Sequence, residues 1–218
     1  VSPCDEQSDV LLTTRAGRCI RFGVTDVREF VGRTSTGVRG IRLGKDDEVV
    51  SMTILKQVDF TIEERDSYLK QSQRLRRQDE EEEISGNEIP LSPERFEAMA
   101  SVEEFILTAS EKGFGKRSSA YEYRCTNRGG QGITTMDVTA KTGKVVDSFP
   151  VEAEDDIMLV TNTGKLIRCP VNDIRIAGRR TQGVTLFRVD KEEAVVSVAR
   201  INEGENGEEA EEETIENV

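Results

Sequence analysis

The chain contains no histidine and no tryptophan, and its four cysteines (Cys4, Cys19, Cys125, Cys169) are scattered with no Cys-x-x-Cys pair. Without imidazole, acid–base or nucleophilic chemistry through the side chain that titrates near neutrality is excluded. Dispersed cysteines argue against a zinc site and fit free thiols in a reducing compartment. No stretch of about eighteen apolar residues and no signal peptide is present, so a soluble, cytoplasmic chain without a membrane partner is expected. Nor does the chain start with methionine; its first residue is Val1 in a polar leader, as expected of a fragment. The glycine-rich Gly129-Gly130-Gln131-Gly132 lacks the Gly-Lys-Ser/Thr ending that would seat a lysine on phosphates and a hydroxyl on magnesium. Carboxylate pairs such as Asp46-Asp47 and Asp155-Asp156 fall in turn sequence, and Tyr121 and Tyr123 alternate as packing residues of a strand would. No active site, metal or cofactor is expected in this chain.

What is present is a threefold repeat. Val10-Leu11-Leu12-Thr13-Thr14-Arg15-Ala16-Gly17 returns as Ile106-Leu107-Thr108-Ala109-Ser110-Glu111-Lys112-Gly113 and as Ile157-Met158-Leu159-Val160-Thr161-Asn162-Thr163-Gly164. Four positions after each glycine stands an arginine: Arg21, Arg117, Arg168. A second glycine precedes a branched aliphatic in Gly37-Val38, Gly132-Ile133 and Gly183-Val184, and each unit closes on a valine pair, Val49-Val50, Val145-Val146 or Val195-Val196. The first glycines lie 96 and 51 residues apart, so 45 residues are inserted between units one and two. A period of about 47 to 51 residues belongs to propeller-type arrays rather than helical repeats. Short β-branched runs flank glycine turns, so each unit opens with a hairpin, and four short strands would fill a unit. The expectation is an all-β chain of four-stranded antiparallel blades, with Gly17, Gly37, Gly113, Gly132, Gly164 and Gly183 as structural turns. The boundaries that follow are a leader 1–8, blades 9–55, 105–151 and 152–201, a charged insertion 56–104 and a tail 202–218.

The formal charge of −12 conceals an uneven distribution. The tail carries eight glutamates and no cation, the insertion seven basic and fourteen acidic residues, and the leader two acids; the blades keep 23 basic and 18 acidic side chains, a net +5. A mildly basic β array with an acidic appendage suits a polyanionic partner, which the overall charge conceals. The tail has no aromatics and no means of forming a core, so disorder is expected, serving solubility or competing with nucleic acid for the basic face. In the insertion, Asp66 and Lys70 are spaced for a helical pair, Asp79 to Glu83 is an acidic run, and Ser92-Pro93-Glu94 starts a short helix through about Ala100.

Thr36-Gly37-Val38-Arg39-Gly40-Ile41-Arg42-Leu43-Gly44, Gly113-Phe114-Gly115-Lys116-Arg117 and Gly178-Arg179-Arg180-Thr181-Gln182-Gly183-Val184 closely resemble the C-terminal domain of the bacterial DNA gyrase A subunit. That resemblance implies a β-pinwheel whose basic rim wraps double-stranded DNA. The three units look like the last three of six blades, followed by the acidic tail. It implies a non-catalytic portion of a topoisomerase, supporting ATP- and magnesium-dependent negative supercoiling by a holoenzyme. There it would join the remainder of the gyrase A chain, together with the gyrase B chain, in an A2B2 heterotetramer of the bacterial cytoplasm, associated with the nucleoid. The family's signature box, Gln-Arg-Arg-Gly-Gly-Arg-Gly, is echoed only by Asn127-Arg128-Gly129-Gly130-Gln131-Gly132. Arg18, Arg21, Arg39, Arg42, Lys116, Arg117, Arg128, Lys165, Arg168, Arg179 and Arg180 are the expected phosphate contacts, giving sequence-tolerant, salt-dependent binding. The related C-terminal domain of topoisomerase IV and a protein-interaction propeller remain as alternatives.

Overall fold

A computed structural model describes residues 1–77 and 91–202 of the chain. Each repeat opens with an antiparallel hairpin: β1 (Ser8–Thr14) with β2 (Arg18–Gly23), later β4 (Phe105–Ser110) with β5 (Phe114–Ser119), and β8 (Asp156–Thr161) with β9 (Leu166–Pro170). A short 3-10 turn follows each hairpin, at Val24–Asp26, Ala120–Glu122 and Val171–Asp173. The valine pairs begin the closing strands β3 (Val49–Lys56), β7 (Val145–Val151) and β11 (Val195–Ile201), which pair with the first strand of their own hairpin.

Strand ownership differs from the expectation of self-contained blades. The fourth strand of the first sheet, β6 (Ile133–Thr134), comes from the second repeat and pairs with Arg18 and Cys19 of β2. The fourth strand of the second sheet, β10 (Val184–Thr185), comes from the third repeat and pairs with Phe114 and Gly115 of β5. The third sheet holds three strands, β11-β8-β9. The reason is the repeat's second glycine. A Cβ at Gly132 (φ +67°) would stand 2.1 Å from the Cys19 carbonyl oxygen, and at Gly183 (φ +77°) 2.5 Å from that of Gly115. Only glycine permits this approach and this φ, so the connection after the second and the third 3-10 turn is laid onto the neighbouring sheet.

Cores lie between blades. Adjacent residues of a strand face opposite sides of its sheet. On β4, Ile106 packs with Leu11, Cys19 and Leu55 of blade one, while Leu107 packs with Ile157, Leu159 and Val171 of blade three. The middle sheet is thus covered on both faces, whereas β8 alternates buried and half-buried positions. The outer face of sheet one is covered by Ile41 of its own connection, against Val10, Ile20 and Phe22.

The insertion forms α1 (Ile62–Arg77), carrying both Asp66 and Lys70, and α2 (Pro93–Ala100), whose cap Ser92 Oγ accepts from the Arg95 amide at 3.2 Å. Tyr121 anchors the pair to the second blade. It lies in the Ala120–Glu122 turn, and Tyr123 follows directly, so neither is on a strand: the hairpin stops at Ser119, whose hydroxyl accepts from the Tyr121 amide. The Tyr121 ring meets Tyr68 (5.3 Å between centroids) and Phe60 (5.8 Å) edge to face, and its hydroxyl donates to the Met99 carbonyl at 2.7 Å. The acidic run Asp79 to Glu83 and the tail beyond Asn202 lie outside the described residues.

Candidate nucleic-acid interface

Two of the three arginines four residues past the first glycine are built into the blade junctions. Arg21 is 4% exposed; its Nε donates to Asp9 Oδ2 at 2.7 Å, Nη1 to the Ala120 carbonyl at 3.1 Å and Nη2 to the Lys56 carbonyl at 3.0 Å. One guanidinium thereby joins β1, β3 and the next blade's turn, using its fork of donors on fixed acceptors. Arg117 is also buried and donates to the Ile174 carbonyl (2.7 Å) and the Asn172 carbonyl (3.3 Å) of blade three; burial lowers its pKa. Arg168 is half exposed and paired with Asp156. Arg21 and Arg117 are therefore not placed to meet a phosphate.

A second recurring arginine precedes the second glycine by four residues: Arg33, Arg128, Arg179. In two repeats it closes the junction with the preceding unit in the same way. Arg128 Nε donates to the Asp26 carbonyl (2.9 Å) and Nη1 to the Arg39 carbonyl (3.2 Å). Arg179 Nε donates to the Glu122 carbonyl (3.2 Å) and Nη1 to the Thr134 carbonyl. Asp26 and Glu122 occupy one repeat position and Arg39 and Thr134 another, so this is a clamp repeated from blade to blade. Arg18 reinforces the first junction through the Gln131 and Gly132 carbonyls, at 3.0 and 2.7 Å.

Among the remaining expected contacts, Lys116 is fully buried and its ammonium donates to the Gly178, Arg179 and Thr181 carbonyls. Lys165 is half exposed but held by Glu193 (2.9 Å) and Asp190 (3.0 Å), which raise its pKa. Arg39 and Arg42 are exposed on the connection that covers the first sheet, and Arg180 is exposed on the connection that crosses from blade three to blade two. The eleven residues therefore divide into six junction pieces, two half-exposed cations paired within the third repeat, and the exposed Arg39, Arg42 and Arg180.

A third arginine series, outside the expected contacts, stands eleven residues past the first glycine: Arg28, Arg124 and Arg175. All three are exposed. Arg124 and Arg175 come just before Cys125 and Ile176, which bridge in parallel to Arg21 and Arg117 of the preceding sheet. Their backbone is fixed by that bridge while the side chain faces solvent. Arg28 stands over the Phe30 ring at 4.6 Å. Arg124 borders an open cavity of about 320 Å³ with Arg21, Asn127, Gly130 and Gln131 at the first junction. Equal spacing from Gly17, Gly113 and Gly164 is the sequence signal that marks the series. Among the described residues, no group of three or more His, Cys, Asp or Glu is placed to hold a metal. Nor is any helix among them long and apolar enough to cross a membrane.

Comparison with known proteins agrees with the repeat. The family model for the DNA gyrase C-terminal domain, beta-propeller, matches residues 8–56, 104–152 and 155–202. The DNA gyrase A subunit of Rickettsia bellii is 50% identical over 221 residues, covering 100% of this chain and 24% of that protein. The DNA gyrase A subunit of Granulibacter bethesdensis is 45% identical over 223 residues, covering 94% of this chain and 24% of its own length. The chain thus spans about a quarter of these relatives. In fold it is similar to the C-terminal domain of DNA topoisomerase IV (TM-score 0.64, 19% identity, 90% of this chain and 47% of that one). It is also similar to the E. coli ParC C-terminal domain (TM-score 0.57, 12% identity, 91% of this chain and 64% of that one). With all three repeats matched, the chain belongs to the DNA gyrase C-terminal, beta-propeller domain family.

Proposed function

We propose that this chain is a non-catalytic DNA-binding and DNA-wrapping portion of a gyrase A protein. The observation that carries the reading is the exposed arginine recurring at one position of every blade, Arg28, Arg124 and Arg175. Residues at equivalent positions of successive blades recur along a track, and a track of cations suits a polymer of evenly spaced anions. Arg39, Arg42 and Arg180, exposed on the connections after the hairpins, extend it. Phosphate contacts of this kind position a duplex without reading its bases, so preference among sequences follows how readily the DNA bends. Strand cleavage, ATP and magnesium belong in this reading to the rest of the gyrase A chain and to the gyrase B chain, in a cytoplasmic A2B2 enzyme that introduces negative supercoils. Relatives at 45% and 50% identity named as gyrase A proteins favour gyrase over topoisomerase IV.

The test is a duplex-DNA titration at several salt concentrations, comparing the wild-type chain with an Arg28→Ala, Arg124→Ala, Arg175→Ala triple variant. Each lost phosphate contact lowers the slope of log affinity against log salt by about 0.9, so the triple should lose about 2.7. An unchanged slope in a folded triple variant removes these residues from the track. No binding by the wild type at low salt favours a protein-interaction propeller instead.

A further inference from the structure

Lys116 lies on β5 with no exposed surface. Its Nζ donates to the carbonyls of Gly178 (2.9 Å), Arg179 (2.5 Å) and Thr181 (2.9 Å), with Thr181 Oγ1 at 3.4 Å. An ammonium has three donors, and here each finds a main-chain acceptor of a single loop. None of these partners is a carboxylate. The charged and titratable groups around it are Glu122 in the 3-10 turn, Arg179 in the loop, the Cys19 thiol on β2 and Asp137 after β6. Burial lowers the lysine pKa to about 8.

The other repeats place an isoleucine at this position, Ile20 and Ile167. Ile20 underlies the equivalent loop of the first junction, where a Cβ on Gly130 would stand 3.6 Å from its Cδ1. An apolar side chain therefore suffices to support that loop. A buried ammonium is costly to desolvate, and two of the carbonyls it holds have other donors: that of Gly178 accepts from the Thr181 amide at 3.0 Å and that of Thr181 from the Asp137 amide at 3.3 Å. Fold stability is thus a weak reason for a lysine at 116. The loop it holds shares Arg179 with Arg128 of its counterpart but carries Gly178, Arg180 and Thr181 where the first junction has Asn127, Gly129 and Gly130, so Arg180 is the one added charge. Arg180 is exposed and sits between Arg179 and Thr181, two of the residues whose carbonyls the ammonium holds.

We propose that Lys116 is a positioning residue for DNA binding: it locks the Gly178–Thr181 loop so that Arg180 meets a phosphate, and its buried charge adds to the attraction. This rests on the DNA-binding reading above. A polyanion beside the loop favours the protonated lysine, so binding raises its pKa and takes up a proton. Affinity then falls as pH rises through the value of the free chain, about 8.

The experiment is fluorescence anisotropy of a labelled DNA duplex with the full 218-residue chain, at pH 7.0, 8.5 and 9.5 and fixed ionic strength. Wild type should lose about threefold to tenfold in affinity from the lowest to the highest pH, as the linkage of one phosphate contact to one proton implies. Lys116→Ile, which installs the residue of the other repeats, should already be weakened by about that factor at pH 7.0, with a flattened pH profile and a retained cooperative melting transition. Lys116→Met should behave alike. Wild-type affinity, or the wild-type pH profile, in either folded variant overturns the proposal. Should both variants fail to fold, the wild-type profile decides, a flat one overturning it. Absence of wild-type binding at every pH and at low salt strikes the DNA reading itself.

Discussion

At the junction of blades one and two, the buried Arg21 guanidinium meets Asp9, and the loop above β2 rests on Ile20. At the junction of blades two and three, Arg117 has Phe105 at the position of Asp9 and bonds only carbonyls, while the loop rests on the Lys116 ammonium. Both junctions share the borrowed strand, the clamp arginine and the parallel bridge. Each buries cations, but the first neutralises one with a carboxylate and the second uses main-chain dipoles. A recurring arginine in a repeat protein therefore marks a recurring place, and its exposure decides whether the place is a joint or a binding surface.

The largest effect should come from the feature the junctions share. At Gly132 or Gly183, alanine would push Cβ into a carbonyl oxygen at 2.1 or 2.5 Å. The borrowed strand would have to leave its sheet, at a cost of about 3 kcal/mol or more, as strained positive-φ positions and lost packing combine. Gly37 has a similar φ of +74° but nothing within 4 Å of its Cβ position, so Gly37→Ala should cost about 1 kcal/mol from φ alone. Chemical denaturation of the three variants measures this. Equal losses would mean that backbone strain, not strand insertion, sets the glycine requirement.

The next separates the junctions. Asp9→Ala removes the carboxylate hydrogen-bonded to the buried Arg21 guanidinium and should cost about 3 to 5 kcal/mol. Asp156→Ala removes the equivalent carboxylate from Arg168, whose side chain is 51% exposed, and should cost under about 1 kcal/mol. The double variant Asp9→Phe, Arg21→Met should recover much of the loss, because breaking a buried pair costs more than replacing it. If Asp9→Ala and Asp156→Ala cost the same, burial is not what distinguishes the two ion pairs.

The fold class was legible in the sequence because glycines and β-branched runs recur at fixed spacing, and turns and strands are local. Strand ownership was not. Residues 133–134 and 184–185 are two-residue strands, too short for any periodic signal, and their partners lie more than a hundred and about seventy residues away in sequence. The candidate surface was legible only in part for a related reason. Lys116 and Arg117 are adjacent to glycine turns and look exposed by composition, yet the neighbouring blade covers them. Arg28, Arg124 and Arg175 look incidental, yet the 3-10 turn before each one brings it to the surface. Burial in an array depends on what the next unit covers, and a single unit's sequence does not carry that information.

The smallest effect should fall on the insertion, which the first junction carries and the second lacks. Arg95 Nε donates to Glu64 Oε1 at 2.7 Å, joining α2 to α1, with side chains 41% and 25% exposed. The guanidinium and the Thr61 amide hold the Glu64 carboxyl pKa down at about 2. The carboxylate's folded pKa is depressed, so its contribution is present above the ordinary carboxylate range and fades as pH falls toward about 2. A half-exposed pair is screened, so Arg95→Ala should cost little at neutral pH, and the deficit should shrink in acid or high salt. Tyr121→Phe removes the hydroxyl bond to Met99 from the same unit and should cost about 1 kcal/mol independent of salt. Hydrogen exchange of α1 and α2 amides would register both losses locally, since the insertion meets the blades chiefly through the Tyr121 cluster. Exchange accelerated equally across β4 and β5 would mean instead that the insertion is part of the blade-one to blade-two joint, which would add a third difference to the comparison of the two junctions.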